Sequence, residues 1–438
     1  MTDFVDAAPG TTGPGRGPEA PGRRRGRLVG VDIARFVAVF GMFNIHFGVP
    51  FVDGDPEVWI AQFSSGRSTA LFTLLAGVSL AMLSGRQEPP SGAGLREARV
   101  RIAVRAVLLL VIGIALAKAT SATGFLLTVI IPFYGMYFLL TLPFVGLRTR
   151  GLAIAAVAAA AIGPQLSFVL RTWIAQGTPL TAVVDAVNAV DPGHLISDDG
   201  VFDLLLLDFY PAASYLALVL AGMAVGRLDL RSSRVRWWLG GIGLVVSVAA
   251  YQVSDWLVAT VGGLPDVTIE GTVPVEHPGW LLAATAHSGT TFELLGSGGI
   301  ALVILAVCLA LADCAGRFLK PLAAAGSMAL TLYALHAVAM AWVIVVGGYS
   351  LSGVPEPLAE LSTMGPDLPD LPGMPAFPRD GHVPEGVVAF VCTFMPELFL
   401  VFAVVFPVVW RRVFRRGPLE AAVSESVRWL SGHLSRRS

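Results

Sequence analysis

Asp32, Arg35 and His46 fall within one apolar run, RLVGVDIARFVAVFGMFNIH, and set an acid, a fixed cation and a proton-accepting ring into a segment long enough to cross a bilayer. Ionisable groups are costly in hydrocarbon, so their default reading is a functional site. On a helix Asp32 and Arg35 are three residues apart and share a face, which lets them pair and lowers the cost of burying either. The competing reading of that pair is structural, a device that orients the helix. His46 returns to the same face eleven residues beyond Arg35, about 16 Å along the axis at about 1.5 Å rise per residue. The two cannot touch and would instead serve the two ends of one elongated site. An arginine near one membrane face matches phosphate with its fork of donors. A neutral histidine deeper in can take a proton from a hydroxyl or an amine. The alternative for His46 is an interfacial residue that ends the span.

Further polar groups sit near the ends of other apolar runs. Gly66-Arg67-Ser68 precedes TALFTLLAGVSL, where small residues allow close helix contact. Arg67 either stabilises charge at the site or snorkels to the interface as an anchor. His287-Ser288-Gly289-Thr290 opens another run, and Glu293 follows Gly289 by one turn. His287 and Ser288 lie next to each other without a Gly-x-Ser-x-Gly elbow, which argues against serine hydrolysis. His287 could still face the outer end of the cavity that His46 serves. Tyr210-Pro211 would shape an outer vestibule, although tyrosine at an interface is ordinarily an anchor. His336 and Glu397 are also embedded, but single groups of this kind often just pair with a neighbouring helix. No glycine-rich phosphate loop, paired-carboxylate motif or metal-ligand cluster is visible, and no metal is expected.

The elements that must hold these groups are membrane helices. Of 438 residues, 55% are hydrophobic and 14% charged, a balance that excludes an ordinary soluble domain. A span needs about 20 predominantly apolar residues. Ten stretches approach that requirement, at 28–47, 68–83, 102–119, 123–146, 151–170, 209–226, 237–260, 291–312, 321–346 and 387–410. The expected fold is therefore all-α, a polytopic membrane bundle of about ten spans. Arginines crowd alternate connections: Arg23 to Arg27 before the first run, Arg86 to Arg105, Arg148 and Arg150, Arg227 to Arg236, and Arg411 to Arg416 after the last. The other side holds few cations, Arg67, Lys118, Arg171 and Arg379. The positive-inside rule then places both termini in the cytoplasm of a multi-pass protein of the inner (plasma) membrane.

The near-neutral net charge of -1 hides this asymmetry, because the acids gather on the opposite side. The basic residues face anionic headgroups, and no nucleic-acid partner is implied. Cys308, Cys314 and Cys392 lack the spacing of a disulfide framework or a zinc site. Residues 1–26, rich in Gly, Pro and Arg, read as a disordered cytoplasmic tail rather than a cleavable signal. Residues 27–416 form the membrane domain and 417–438 a cytoplasmic C-terminal tail. Longer outer connections at 171–208, 261–290 and 347–386 would cap the outer mouth of the bundle or be partly disordered.

The stretch RLVGVDIARFVAVFGMFNIH, followed by GRSTALFTLLAGVSLAM, resembles the bacterial relatives of heparan-alpha-glucosaminide N-acetyltransferase, a family of multi-span membrane acyltransferases. The likeness continues through DFYPAASYLALVLAGMAVGRLDL and through 287–290. GSMALTLYALH and FRRGPLE are similar to the YeiB-like membrane proteins of the same superfamily. The Arg-x10-His pattern of Arg35 and His46 also resembles the first helix of the acyltransferase 3 family. One departure stands out. Members commonly carry asparagine where this chain has His46, and the animal enzyme's reactive histidine lies in the following loop, where this chain has none between Phe47 and Gly66.

The resemblance implies transfer of an acyl group, acetyl by analogy, from cytoplasmic acyl-CoA to an extracytoplasmic sugar or glycolipid. It makes acetyl-CoA or another acyl-CoA the donor. Arg35, with Asp32, would hold that donor, and His46 would act as base or transient acyl carrier. Arg67 and His287 would stabilise charge or orient the acceptor, helped by Ser68, Tyr210 and Ser288. The competing class is transport, because buried charges in a ten-span bundle also suit a small-molecule or lipid carrier.

Overall fold

A computed structural model describes residues 27–47, 60, 62–123, 127–264, 271–346 and 394–437. Every regular element among them is helical. The chain runs α1 Val29–Phe47, α2 Arg67–Leu83, α3 Gly92–Ser121, α4 Ile130–Leu140 and α5 Thr149–Ala175. It continues through the short α6 Pro179–Asn188 and α7 Pro192–Ser197 to α8 Ala212–Gly226, α9 Ser233–Thr260 and α10 Thr291–Ala315. The described chain closes with α11 Lys320–Gly326, α12 Ala329–Val346, α13 Met395–Trp410 and α14 Pro418–Arg437. The expected tail at 1–26, the connection at 347–386, Arg379 and Cys392 lie outside the described residues.

Six helices, α1, α2 with its approach, α3, α5, α9 and α10, are long and apolar enough to cross a membrane. A bent pair, α11 and α12 with 74° between them, makes a seventh if taken as one crossing. The remaining expected stretches hold shorter apolar helices, α4 with 11 residues, α8 with 15 and α13 with 16. The difference has a local cause in the run expected at 123–146. Among its described residues 127–129 lie outside any helix and 142–144 form a 3-10 turn, which leaves 130–140 as the α-helical part.

Burial separates inner from outer helices. In their most apolar windows α1, α2 and α10 are 61%, 67% and 56% buried, whereas α3, α5 and α9 are 33%, 33% and 22% buried. The last three turn most of their apolar surface outward, where lipid replaces protein as the packing partner. Between the inner helices contact is close because the meeting residues are small. Gly77 of α2 and Gly222 of α8 cross so tightly that a methyl on either would strike the other helix's backbone.

The two ends of the bundle are built differently. At the end carrying the arginine-rich connections, buried Arg227 donates to the carbonyls of Ser84 and Arg86 at 2.7 Å each and of Val145 at 2.8 Å. That one side chain ties α8 to the chain leaving α2 and α4. At the opposite end, 171–208 is folded as α6, α7 and a π turn at Asp203–Leu207, in place of a plain loop. Asp191 holds it by accepting the Gly193 and Val201 N–H groups at 2.9 and 2.6 Å. Arg171 donates to the Val273 carbonyl at 2.6 Å and joins this layer to the connection before α10. Residues 418–437 form a helix that packs against α3 and α12 and buries Val423 and Val427.

Candidate active site

His46 near the end of α1 and His336 on α12 face each other with Nδ1 to Nε2 at 2.9 Å and rings nearly parallel, 10° apart. A bond between two imidazole nitrogens needs one to donate and the other to accept, so at least one ring supplies an unprotonated nitrogen. His336 is fully buried. Phe43 and Tyr333 flank it, with ring centroids 5.0 and 4.7 Å away, and Phe399 lies 4.7 Å from Phe43. The aromatic surround fixes the geometry of the pair, with His336 buried and His46 partly so.

A cavity of about 440 Å³ opens among α1, α2, α3, α4, the α11–α12 break and α14. That volume falls among those of small-molecule sites. Arg27, Arg35, Arg105, Arg415 and Arg416 line it from the arginine-rich end, and Phe72, Leu75, Ile131, Tyr134 and Tyr333 line it toward the bundle's middle. It is thus cationic at one end and apolar at the other, a gradient that fits a ligand with a phosphorylated head and an uncharged tail. Arg35 donates to Asp32 Oδ1 at 2.8 Å and to Ser79 Oγ at 2.7 Å. The other Asp32 oxygen takes Arg27. Asp32 is not among the lining residues and reaches the cavity through the two arginines it orients.

Tyr333 is the partition between cavity and histidine pair. Its ring lines the cavity and meets His336 edge-on at 75°, while its hydroxyl accepts the Ile130 N–H at 3.0 Å. Neither His46 nor His336 lines the cavity.

On the opposite side His287 is buried and sits in the left-handed region at φ 62°. Its Nε2 accepts the Gly66 N–H at 3.1 Å, and its ring packs against Phe209 and Tyr210. Burial, aided by His46, pushes its pKa down to about 3. With the imidazole neutral and Nε2 accepting, the hydrogen resides on Nδ1. Nδ1 has no partner among the described residues. An unpaired buried donor asks for an explanation, and a developing negative charge nearby would supply one. His287 is therefore placed to donate rather than to take a proton.

The remaining expected site residues are committed to the protein. Ser68 is buried in the first turn of α2, and Ser288 shares a hydrogen bond with Thr290 at 3.3 Å. Tyr210 meets His287 edge-on, and its carbonyl accepts the Tyr137 hydroxyl at 2.9 Å. Arg67 donates to the Gln62 and Phe63 carbonyls and lies over the Tyr251 ring at 5.3 Å, a cation–π placement. The structure gathers His46 with His336, Tyr210 with His287, and Arg35 with the cavity, but it does not bring Arg67, Ser68 or Ser288 to that cavity.

Sequence reasoning passed over Ser79, Arg105, Tyr134 and Tyr333. Arg105 reads as a connection charge, yet it lies well inside α3, beyond buried Ala98 and Ile102. An arginine that far into a helix was a usable signal. Glu293 is also buried, with Oε1 accepting from Ser297 at 3.0 Å and Oε2 without a partner among the described residues.

The sequence model of the heparan-alpha-glucosaminide N-acetyltransferase catalytic domain matches residues 27–251. No curated protein matches this chain.

Proposed function

The chain belongs to the heparan-alpha-glucosaminide N-acetyltransferase catalytic family, and from that premise we propose that it moves an acetyl group from cytoplasmic acyl-CoA to a sugar or glycolipid reached from the outer side. In this reading the bundle crosses the plasma membrane ten times with both termini inside. The His46–His336 contact at 2.9 Å carries the proposal, because it supplies a proton acceptor in contact with Tyr333, a residue that lines a cationic cavity.

Arg27, Arg35 and Arg105 attract the donor's phosphates, and the apolar end of the cavity receives its uncharged arm. The thioester then lies at Tyr333, and the acyl carbon passes that ring to meet the acceptor. The acceptor's hydroxyl or amine attacks the carbonyl carbon and surrenders its proton to His46, which is hydrogen-bonded to His336. The charge is shared across the two imidazoles, which lowers the barrier as a positioned base does. The tetrahedral intermediate's oxygen carries the negative charge that the His287 Nδ1–H is available to meet. When the intermediate collapses, the carbon–sulfur bond breaks and the pair returns the proton to the thiolate, releasing free CoA and the acylated acceptor.

The direct test incubates purified protein with acetyl-CoA labelled in the acetyl group and assays label in candidate sugars and lipids. Transfer that requires both His46 and His336 supports the reading. Absence of acyl-CoA binding by calorimetry, together with absence of a thermal shift, would overturn it and favour transport.

A further inference from the structure

The turn Arg415-Arg416-Gly417-Pro418-Leu419-Glu420 lies outside the residues matched by the family and has no part in the chemistry above. It nevertheless forms one wall of the cavity, to which Arg415, Arg416 and Glu420 all contribute. Glu420 is fastened to α12 by both oxygens. Oε1 accepts the Thr331 N–H at 3.1 Å, and Oε2 accepts the Thr331 hydroxyl at 2.6 Å. The same hydroxyl oxygen accepts the Leu419 N–H at 3.2 Å and closes the latch. Gly417 fits here because a side chain would strike Glu420, Met328 and Thr331.

The latch has an electrostatic consequence. Glu420 keeps its charge, but its oxygens are bonded to Thr331 and none pairs directly with an arginine. Among the described residues no carboxylate lies within ion-pair distance of Arg105, Arg415 or Arg416. Three guanidinium groups thus share one cavity without an ion-pair partner, against the single carboxylate of Glu420, an arrangement that invites an anion of more than one charge.

Resting on the acyltransferase reading, we propose that this turn is the donor-specificity element: Arg415 and Arg416 clamp the phosphorylated end of the acyl donor, and the Glu420–Thr331 latch positions them. Donors that carry phosphates are thereby selected over the same thioester without them.

The test compares the affinity of the full-length protein for acetyl-CoA and for S-acetylpantetheine, which keeps the thioester arm and lacks the phosphates. The wild-type protein should prefer acetyl-CoA strongly. Arg415→Gln combined with Arg416→Gln should reduce that preference by roughly tenfold or more, equivalent to at least about 1.4 kcal/mol, and flatten the salt dependence of acetyl-CoA binding. Thr331→Val, which keeps the side chain's shape and the backbone N–H, should reduce the preference in the same sense. A general folding defect would instead lower both affinities together. If the variants keep the wild-type preference, or lose both ligands equally, the clamp is refuted while wild-type binding of acetyl-CoA leaves the acyltransferase reading in place. Wild-type protein that binds neither ligand overturns both.

Discussion

The Tyr333 ring stands edge-on to His336, centroids 4.7 Å apart, with the cavity on its far side. One side chain therefore separates the proposed donor compartment from the proposed base. Replacing Tyr333 by Ala removes that wall and should admit water to the thioester. Hydrolysis of acetyl-CoA without acceptor should rise, and stability should fall by roughly 3–5 kcal/mol, as for other buried aromatic truncations. Unchanged hydrolysis in a folded Tyr333→Ala protein would remove the partition from the mechanism.

The two histidines should behave as one unit. His46→Ala and His336→Ala are each expected to lower acyl transfer by about 10²- to 10⁴-fold. The double variant should be little worse than either, because groups that act together lose their effect together. Multiplicative losses in single-turnover assays would assign them separate roles.

Arg35 discriminates between charge and geometry. Arg35→Lys keeps the cation near Asp32 but loses the fork that reaches Ser79 and the cavity. The variant should stay folded and bind acyl-CoA measurably more weakly by calorimetry. Equal affinity would show that a point charge suffices there.

The layer formed by 192–207 should loosen as pH rises. The Asp203 hydrogen bond raises the His194 pKa, and burial pushes Asp199 up to about 6. In both cases the folded state binds the proton more tightly than the unfolded state, so stability is present at low pH and lost as pH climbs through the folded value. Amide exchange across 192–207, corrected for its intrinsic pH dependence, should therefore quicken between about pH 4 and pH 7. Asp199→Asn should flatten the lower part of that change. Faster opening toward acid would reverse the assignment.

The proposed orientation is open to labelling in intact cells. In a cysteine-free background, Ser91→Cys should resist a membrane-impermeant reagent and Ser362→Cys should react. The opposite pattern would invert the bundle.

The all-helical, membrane-spanning character was legible in the sequence because hydrophobic runs are a one-dimensional signal. The Asp32–Arg35 pair was legible for the same reason, since three residues on a helix fix a neighbour. His336 was not, because its partner lies 290 positions away and only packing brings α12 against α1. Apolarity alone also counts the non-helical and 3-10 residues beside α4 as part of a span. Tyr333 escaped notice for a different reason. A tyrosine in an apolar run looks like packing until the space on each side of it is known.

Arg227 has a mechanical consequence. With its guanidinium bonded to three carbonyls at one end of the bundle, α2, α4 and α8 share a common footing there. At the other end the ties are spread over several side chains, Thr290 bonding Ala283, Ser288 and Glu293 while Arg171 bonds Val273 and His287 bonds Gly66. One end therefore depends on a single residue, whereas the other divides the same task among several. Loss of Arg227 would release three elements at once, while loss of any one bond at the opposite end would release a single contact.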